Sequence, residues 1–185
     1  MIRRGVISTV LATGAAVLVL AGCSPSGGST SSSSAGATTP VQVPTGFDPC
    51  KDIPQSILDS EGQQNKQPDD FQADAGKILW RGCIWSDPDG YGARIQMTNI
   101  TLQKVRDEHF PDTQEFTIAG RHAISSRQGD NADPTTCTVD VEVKGGSLEF
   151  NLDNPAYVPK TGKQDTCQLA RALAEKVAPI LPSTL

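Results

Sequence analysis

Apolar and polar residues alternate most regularly in the second half of the chain. Residues 136–144 carry an apolar side chain at every second position, and residues 148–152 repeat this pattern after Gly145 and Gly146. A period of two is typical of strands that bury one face, and a glycine pair readily forms the turn between two such strands. The pattern predicts a β-hairpin.

Two further pairs of segments have the same character. Residues 79–86 and 93–99 flank the turn sequence Asp87-Pro88-Asp89-Gly90, and residues 115–119 and 121–126 flank Gly120. Clusters of Asp, Pro and Gly between short apolar runs indicate hairpin turns. A short helix is predicted between these pairs, over residues 102–108.

Two terminal helices are predicted. Near the N-terminal end of the domain, Asp52 is expected to cap a helix that ends at Gly62, and residues 63–77 are expected to form a polar loop. Near the C-terminus, Asp165 is the expected cap, with Gln168 as its capping-box partner. The helix that follows has an apolar stripe at helical spacing, formed by Leu169, Leu173, Val177 and Ile180.

Short consecutive strands joined by tight turns favour antiparallel pairing. The predicted fold is α+β, with a single antiparallel sheet packed against N- and C-terminal helices and stabilised by two disulfides. The predicted organisation is a signal peptide over residues 1–22, a lipidated cysteine and a Gly/Ser/Thr/Pro-rich linker over residues 23–46, and a globular domain over residues 47–185. The linker is expected to be disordered, because it has almost no apolar residue to bury.

The first residues resemble an export signal. Met1-Ile2-Arg3-Arg4 precedes eighteen residues without charge, and Leu20-Ala21-Gly22-Cys23 resembles the bacterial lipobox. A transmembrane helix is the alternative for this segment. The resemblance implies that the Cys23 thiol carries acyl chains and that the chain is cleaved just before it. We therefore expect the protein on the extracytoplasmic face of the cell membrane, held there through Cys23.

The amino-acid composition limits the classes of ligand and partner that the protein is expected to bind. The chain has 185 residues and a formal net charge of −5. A polyanion requires clustered Lys and Arg, so nucleic acid is not an expected partner. With two His residues and no Cys-x-x-Cys sequence, no metal site and no cofactor are expected.

Four cysteines remain after Cys23, and an exported chain favours disulfides between them. Four cysteines permit three connectivities. We favour Cys50–Cys83 and Cys137–Cys167, because each pair links a predicted helix to a strand that it can cover. Each bridge closes a loop of about 30 residues, which the chain-entropy model values at about 3–4 kcal/mol.

The order of three short motifs adds a resemblance. Phe47-Asp48-Pro49-Cys50, then Cys83-Ile84-Trp85, then a helix that begins near Cys167, follow one another behind the lipobox. This arrangement resembles a family of actinobacterial cell-envelope lipoproteins with a cysteine-containing domain of unknown function. The resemblance implies an envelope location and a disulfide scaffold, and it supplies no catalytic residue.

Three classes of function follow. The expected class is a non-enzymatic accessory lipoprotein that binds an unidentified envelope protein. The alternative is a module that binds a small molecule or lipid, which a pocket of more than about 300 Å³ would favour. The third class is a hydrolase, which a buried carboxylate with a perturbed pKa in a cleft would favour. No catalytic residue is predicted.

Overall fold

The computed structural model describes residues 42–128 and 131–185. Within these ranges the chain forms one antiparallel sheet of eight strands with four α-helices. The helices are α1 (Pro49–Asp52), α2 (Gln55–Ser60), α3 (Leu102–Asp107) and α4 (Thr166–Val177). The strands are β1 (Gln64–Pro68), β2 (Phe71–Ala73), β3 (Ile78–Ser86), β4 (Gly92–Thr98), β5 (Gln114–Ile118), β6 (Arg121–Ser126), β7 (Thr136–Val143) and β8 (Gly146–Asp153). The α+β fold class is confirmed.

The strand order is β1-β3-β4-β8-β7-β6-β5. Strand β2 also pairs with β3, as β1 does. The sequence predicts five of the six longer strands to within about one residue at each end, and it places the start of β8 two residues too late. It predicts a loop where β1 and β2 lie, and this was wrong. All five residues of β1 are exposed and polar or Pro, so no apolar alternation marks this edge strand.

The helix assignment near residue 52 also needs correction. Asp48, rather than Asp52, is the N-cap, and its side chain accepts a hydrogen bond from the Cys50 backbone N–H at 3.0 Å. Asp52 is the last residue of α1, and Pro54 begins a separate helix, α2. Pro49 occupies the first position of α1, directly after its N-cap Asp48, whereas Pro54 is itself the N-cap of α2.

The C-terminal helix is capped by Asp165, whose carboxylate accepts a hydrogen bond from the Gln168 N–H at 2.9 Å. Its buried stripe is Thr166, Ala170, Leu173, Ala174 and Val177. Leu173 and Val177 are buried as the stripe predicts, and Leu169 packs partly buried against the core. Ile180 lies in a 3-10 turn beyond the helix and is exposed, so its place in the stripe was wrong.

Helix α4 packs on β7 and β8, and the side chains beneath it form the main core. These are the alternating apolar residues of the central strands, among them Ile95, Val139, Val141, Leu148 and Phe150, all fully buried. None of the described helices is long and apolar enough to cross a membrane.

The opposite face of the sheet is polar, yet much of it is buried. Gln96, Thr98, Thr138, Asp140, Ser147 and Glu149 lie on this face with little or no exposed surface. Beside them, helix α3 packs on β6 and β7 through Leu102, Val105 and Ile124, which form a second, small apolar cluster.

Candidate functional site

Two disulfides fix the helices to the sheet. Cys50 of α1 is bonded to Cys83 of β3, and Cys137 of β7 is bonded to Cys167 of α4, with Cα–Cα distances of 5.4 and 5.1 Å. These are the pairings that the sequence analysis favours. Trp85 lies on the same face as Cys83 and is buried, while Trp80 lies on the opposite face.

An apolar groove lies beside residues 43–52, at the N-terminal end of the described domain. It has a volume of about 570 Å³ and runs between residues 43–52 and the part of the sheet that carries Pro68, Arg81 and Met97. Its apolar lining includes Val43, Pro44, Phe47, Pro68 and Met97. Met97 and Phe47 belong to the main core, so the floor of the groove is an open end of that core. A groove of this size fits a small ligand with an apolar body.

Two ion pairs lie on the rim of the groove. Lys51 Nζ is 2.6 Å from Asp48 Oδ2, and Arg81 Nε is 3.7 Å from Asp70 Oδ2. The hydrogen bond from Lys51 holds the pKa of Asp48 below its usual range, although burial acts in the opposite direction. These pairs are exposed and contribute little to stability. They leave two cations positioned over an apolar floor.

Arg81 is held in place by more than its ion pair. Its Nη1 donates to the backbone carbonyls of Phe71 at 3.1 Å and of Trp80 at 2.8 Å. Asp70 Oδ1 in turn accepts from the Gly82 N–H at 3.1 Å. The rim of the groove is therefore joined to β2 and to the loop before it.

A second candidate site is a pair of carboxyl groups on the polar face. Asp140 of β7 lies directly opposite Glu149 of β8, and the two residues are 0% and 7% exposed. Asp140 Oδ1 accepts from Ser147 Oγ at 2.9 Å, and Glu149 Oε2 accepts from Trp80 Nε1 at 2.9 Å. Asp140 Oδ2 has no hydrogen-bond partner among the described residues.

Burial raises the pKa of Asp140 well above its ordinary value, and the neighbouring Glu149 charge raises it further. Burial raises the pKa of Glu149 to about 7, against the opposing effects of the Trp80 hydrogen bond and the Arg94 charge. Directly opposed like charges are unfavourable in a sheet, so the pair retains a proton at neutral pH. Chemically, this is a buried proton-binding site.

The two sites are separate. Neither Asp140 nor Glu149 lines the groove. Perturbed carboxyl groups are typical of catalytic acids and bases, but such groups must also contact a substrate. Both His109 and His122 are exposed, and the described residues contain no group of three or more His, Cys, Asp and Glu that could hold a metal ion.

The Asp87–Gly90 turn is a hairpin turn, as the sequence predicts, and Asp87 also has a structural role. Its carboxylate is buried and lies 3.1 Å from Lys160 Nζ, so it fixes a distant loop. A Cβ atom at Gly90 would lie 2.7 Å from Asp87 Oδ2. This close approach explains why the turn ends in glycine.

Sequence reasoning missed both the carboxyl pair and the groove. The signal for the pair is present in the alternation, because Asp140 and Glu149 occupy the polar positions of two predicted partner strands. The predicted acylation site, Cys23, lies outside the described residues, as do the predicted signal peptide and most of the predicted linker.

The chain was compared with known proteins. A family model described as a protein of unknown function, DUF3558, matches residues 18–179. No curated protein and no solved structure matches the chain. Since the match covers most of the sequence and includes both disulfides, the chain belongs to the DUF3558 family.

Proposed function

We propose that this protein is a lipid-anchored binding protein on the extracytoplasmic face of the cell membrane, of the actinobacterial envelope type, and that it binds a small amphipathic ligand in the groove beside residues 43–52. The observation that carries the proposal is the groove itself, with an apolar floor at Met97 and cations at Lys51 and Arg81 on its rim.

The position of the groove supports this proposal. Val43 lies twenty residues after Cys23. A flexible linker of that length averages about 22–27 Å from end to end, which would keep the groove close to a membrane that holds Cys23. Two disulfides are also typical of domains that work in an oxidising compartment.

A methionine methyl group offers a direct test of ligand binding. Met97 is the only methionine after Met1, so methyl-labelled mature protein gives one methionine signal, from the groove floor. We expect dodecanoate, used below its micelle concentration, to shift the Met97 signal in a saturable manner. An unchanged Met97 signal on addition of dodecanoate and of an envelope lipid extract would contradict the proposed site.

Two arginines provide a matched pair of variants. Arg81 and Arg94 have similar exposure, and each faces an Asp of the same loop, Asp70 or Asp69. Arg81 lines the groove and Arg94 lies on the polar face. Arg81→Ala should weaken binding of dodecanoate, and Arg94→Ala should leave it unchanged. Equal effects of the two variants would indicate nonspecific charge attraction.

The anchor has its own test. Cys23→Ala should remove the acyl chains and release the protein from the membrane fraction, because the rest of the chain is acidic and is repelled by anionic lipids. Partitioning between detergent and aqueous phases measures this release. Membrane association that survives the substitution would contradict anchoring through Cys23.

Binding of an envelope protein is the second candidate. The observation that favours it is Phe71, a large apolar side chain that is 58% exposed and packs on Trp80 with a ring-centroid distance of 5.4 Å. Cross-linking in intact cells, followed by mass spectrometry, tests it. Phe71→Ser should reduce capture of a partner, whereas Tyr157→Ser, at a more exposed aromatic residue, is the control.

The proposal includes no catalytic turnover. Its support is that the perturbed carboxyl groups lie away from the groove. A screen of hydrolase substrates with oxidised protein tests this part. Turnover that is lost in Asp140→Asn would replace the binding proposal with an enzymatic one.

A further inference from the structure

The carboxyl pair is connected to a small flap at the edge of the sheet. We define the flap as residues 71–76, which comprise β2 and the 3-10 turn after it. Within the sheet, β2 pairs with β3 alone. Phe71 lies opposite Trp80 and contacts its ring, and the Trp80 indole N–H donates to Glu149. Trp80 is therefore the link between the flap and the pair.

Apart from this link, the flap is held by its pairing with β3 and by the hydrogen bond from Arg81 to the Phe71 carbonyl. Its residues are mostly exposed, and Asp74, Ala75 and Gly76 all have φ values between +48° and +82°. A left-handed conformation is unfavourable for residues with a Cβ atom, and two such residues in succession lower the stability of this turn. The contact between Phe71 and Trp80 is therefore a substantial part of what holds the flap to the sheet.

We propose that the Asp140–Glu149 pair is a proton-operated latch for the flap. When Glu149 is ionised and Asp140 retains its proton, the carboxylate accepts a strong hydrogen bond from Trp80 and holds the flap closed. When a second proton neutralises Glu149, this hydrogen bond weakens and the flap opens more often.

The physical basis is the difference between charged and neutral acceptors. A hydrogen bond from an N–H group to a carboxylate is roughly twice as strong as one to a neutral acceptor. If ionised Glu149 strengthens the hydrogen bond from Trp80, then by linkage that hydrogen bond must favour the ionised form of Glu149. In agreement, the hydrogen bond from Trp80 lowers the pKa of Glu149. Burial raises the pKa of Glu149 to about 7, so a small change in pH near neutrality changes the fraction of Glu149 that is ionised.

Other charged groups surround the pair. Arg94 of β4 is ion-paired with Asp69 and favours ionised Glu149. Glu142 and Asp153, on the same strands as the pair, are exposed and hydrated, as is His122 of β6. The helix packed over this side, α3, carries Lys104, Arg106 and Asp107, of which Arg106 is paired with Glu115. His122 lies on the strand next to β7, so a variant at this residue serves as a control.

The latch also reaches the groove. Arg81 donates to the carbonyl of Phe71, and Asp70, which immediately precedes the flap, accepts from Gly82. Arg81, Asp70 and Gly82 all line the groove. Opening of the flap would therefore loosen one rim of the groove as the pH falls. This last consequence rests on the proposed function, whereas the latch itself does not.

The test uses the indole N–H signals in the ¹⁵N NMR spectrum of the mature chain between about pH 5 and about pH 9. The chain has two Trp residues, and Trp80→Phe identifies the signal of Trp80. We expect the Trp80 N–H signal to move with a midpoint near pH 7, and the amide signals of residues 72–75 to broaden on the acidic side. No ligand is present, so failure of this test leaves the proposed function unaffected.

Three variants make the test specific. Glu149→Gln should fix the Trp80 signal at its acidic position, and Asp140→Asn should leave the midpoint near pH 7, because Asn replaces a carboxyl group that is already neutral while Glu149 titrates. His122→Gln should leave the transition unchanged. A Trp80 signal that is constant over this pH range, or a transition that is lost in Asp140→Asn or in His122→Gln, would overturn the latch. Asp140→Asn keeps the proposal testable if Glu149→Gln fails to fold.

Discussion

The two faces of the sheet are buried by opposite chemistry. Under α4, the side chains of β7 and β8 are apolar, and Val139, Val141, Leu148 and Phe150 are fully buried. On the other face, the same two strands bury Asp140 and Glu149, whose ionised forms are unfavourable there. Burial of apolar surface stabilises the fold, while burial of an acid pair costs stability and creates a group that binds a proton near neutral pH. One strand pair thus supplies both the core and the titratable site.

The largest effect should come from the apolar face. Phe150→Ala should lower the free energy of unfolding by about 3–5 kcal/mol, because it removes a fully buried aromatic ring and leaves a cavity. Urea unfolding measures this change. Asn151→Ala, the next residue on the polar face, loses one hydrogen bond to Thr138 and should cost about 1 kcal/mol. Similar costs for the two variants would contradict the contrast between the faces.

The disulfides should rank next. Replacement of Cys50 and Cys83 together by Ala should cost about 3–4 kcal/mol, since the bridge closes a segment with a sequence separation of 33. The pair Cys137 and Cys167, with a separation of 30, should cost at least as much, because Cys137 is also fully buried. A much smaller cost for Cys137 and Cys167 would contradict their place in the core.

A substitution in the carboxyl pair should raise the free energy of unfolding, whereas the substitutions above lower it. The pKa of Glu149 is raised in the folded protein, so the unfolded chain binds fewer protons between about pH 4.5 and about pH 7, and stability falls as pH rises through that range. Glu149→Gln removes this penalty. We expect it to stabilise the fold by about 3 kcal/mol above pH 7 and to have little effect near pH 4.

Paired unfolding curves at the two pH values provide the measurement. Glu115→Gln is a suitable control, because the pKa of Glu115, an exposed residue, is lowered by its hydrogen bond from Arg106. It should not stabilise the fold at either pH. Destabilisation by Glu149→Gln above pH 7 would mean that the ionised pair strengthens the fold.

The smallest effect concerns the turn that positions Asp87. Gly90→Ala would place a Cβ atom against the Asp87 carboxylate and should cost about 1–2 kcal/mol through displacement of that side chain from Lys160. Thermal unfolding measures this loss. Gly120→Ala is a useful comparison, because its Cβ would meet no atom within 4 Å and only its positive φ opposes the change. A smaller loss for Gly90→Ala than for Gly120→Ala would contradict this role of Gly90.

The apolar face could be predicted from sequence because its signals are local. Alternation in β7 and β8, the Asp165 cap and the disulfide partners all depend on short segments or on few possible pairings. Edge strand β1 gave no such signal, since residues 64–68 have no apolar side chain to bury. Its hydrogen bonds to β3 define it as a strand, and those depend on tertiary contacts.

The carboxyl pair could not be predicted because it depends on strand register. A turn centred on Gly145 and Gly146 would place Glu142 opposite Glu149. In the structure Val143 pairs with Gly146, which brings Asp140 opposite Glu149 instead. Glu142 is exposed and Asp140 is fully buried. The register of the hairpin therefore decides whether the residue opposite Glu149 is an exposed acid or a buried one. The groove likewise depends on how residues 43–52 lie across the sheet edge.

The most direct test of the contrast between the faces is a pH titration of Asp140 and Glu149 in the mature, oxidised protein. The ¹³C NMR signals of their side-chain carboxyl carbons report the titration of each group. We expect Glu149 to titrate near pH 7 and Asp140 to remain protonated at that pH, while the exposed Glu115, whose pKa is lowered by its hydrogen bond from Arg106, titrates well below it. Titration of both Asp140 and Glu149 below about pH 5 would contradict a buried proton-binding pair on the polar face.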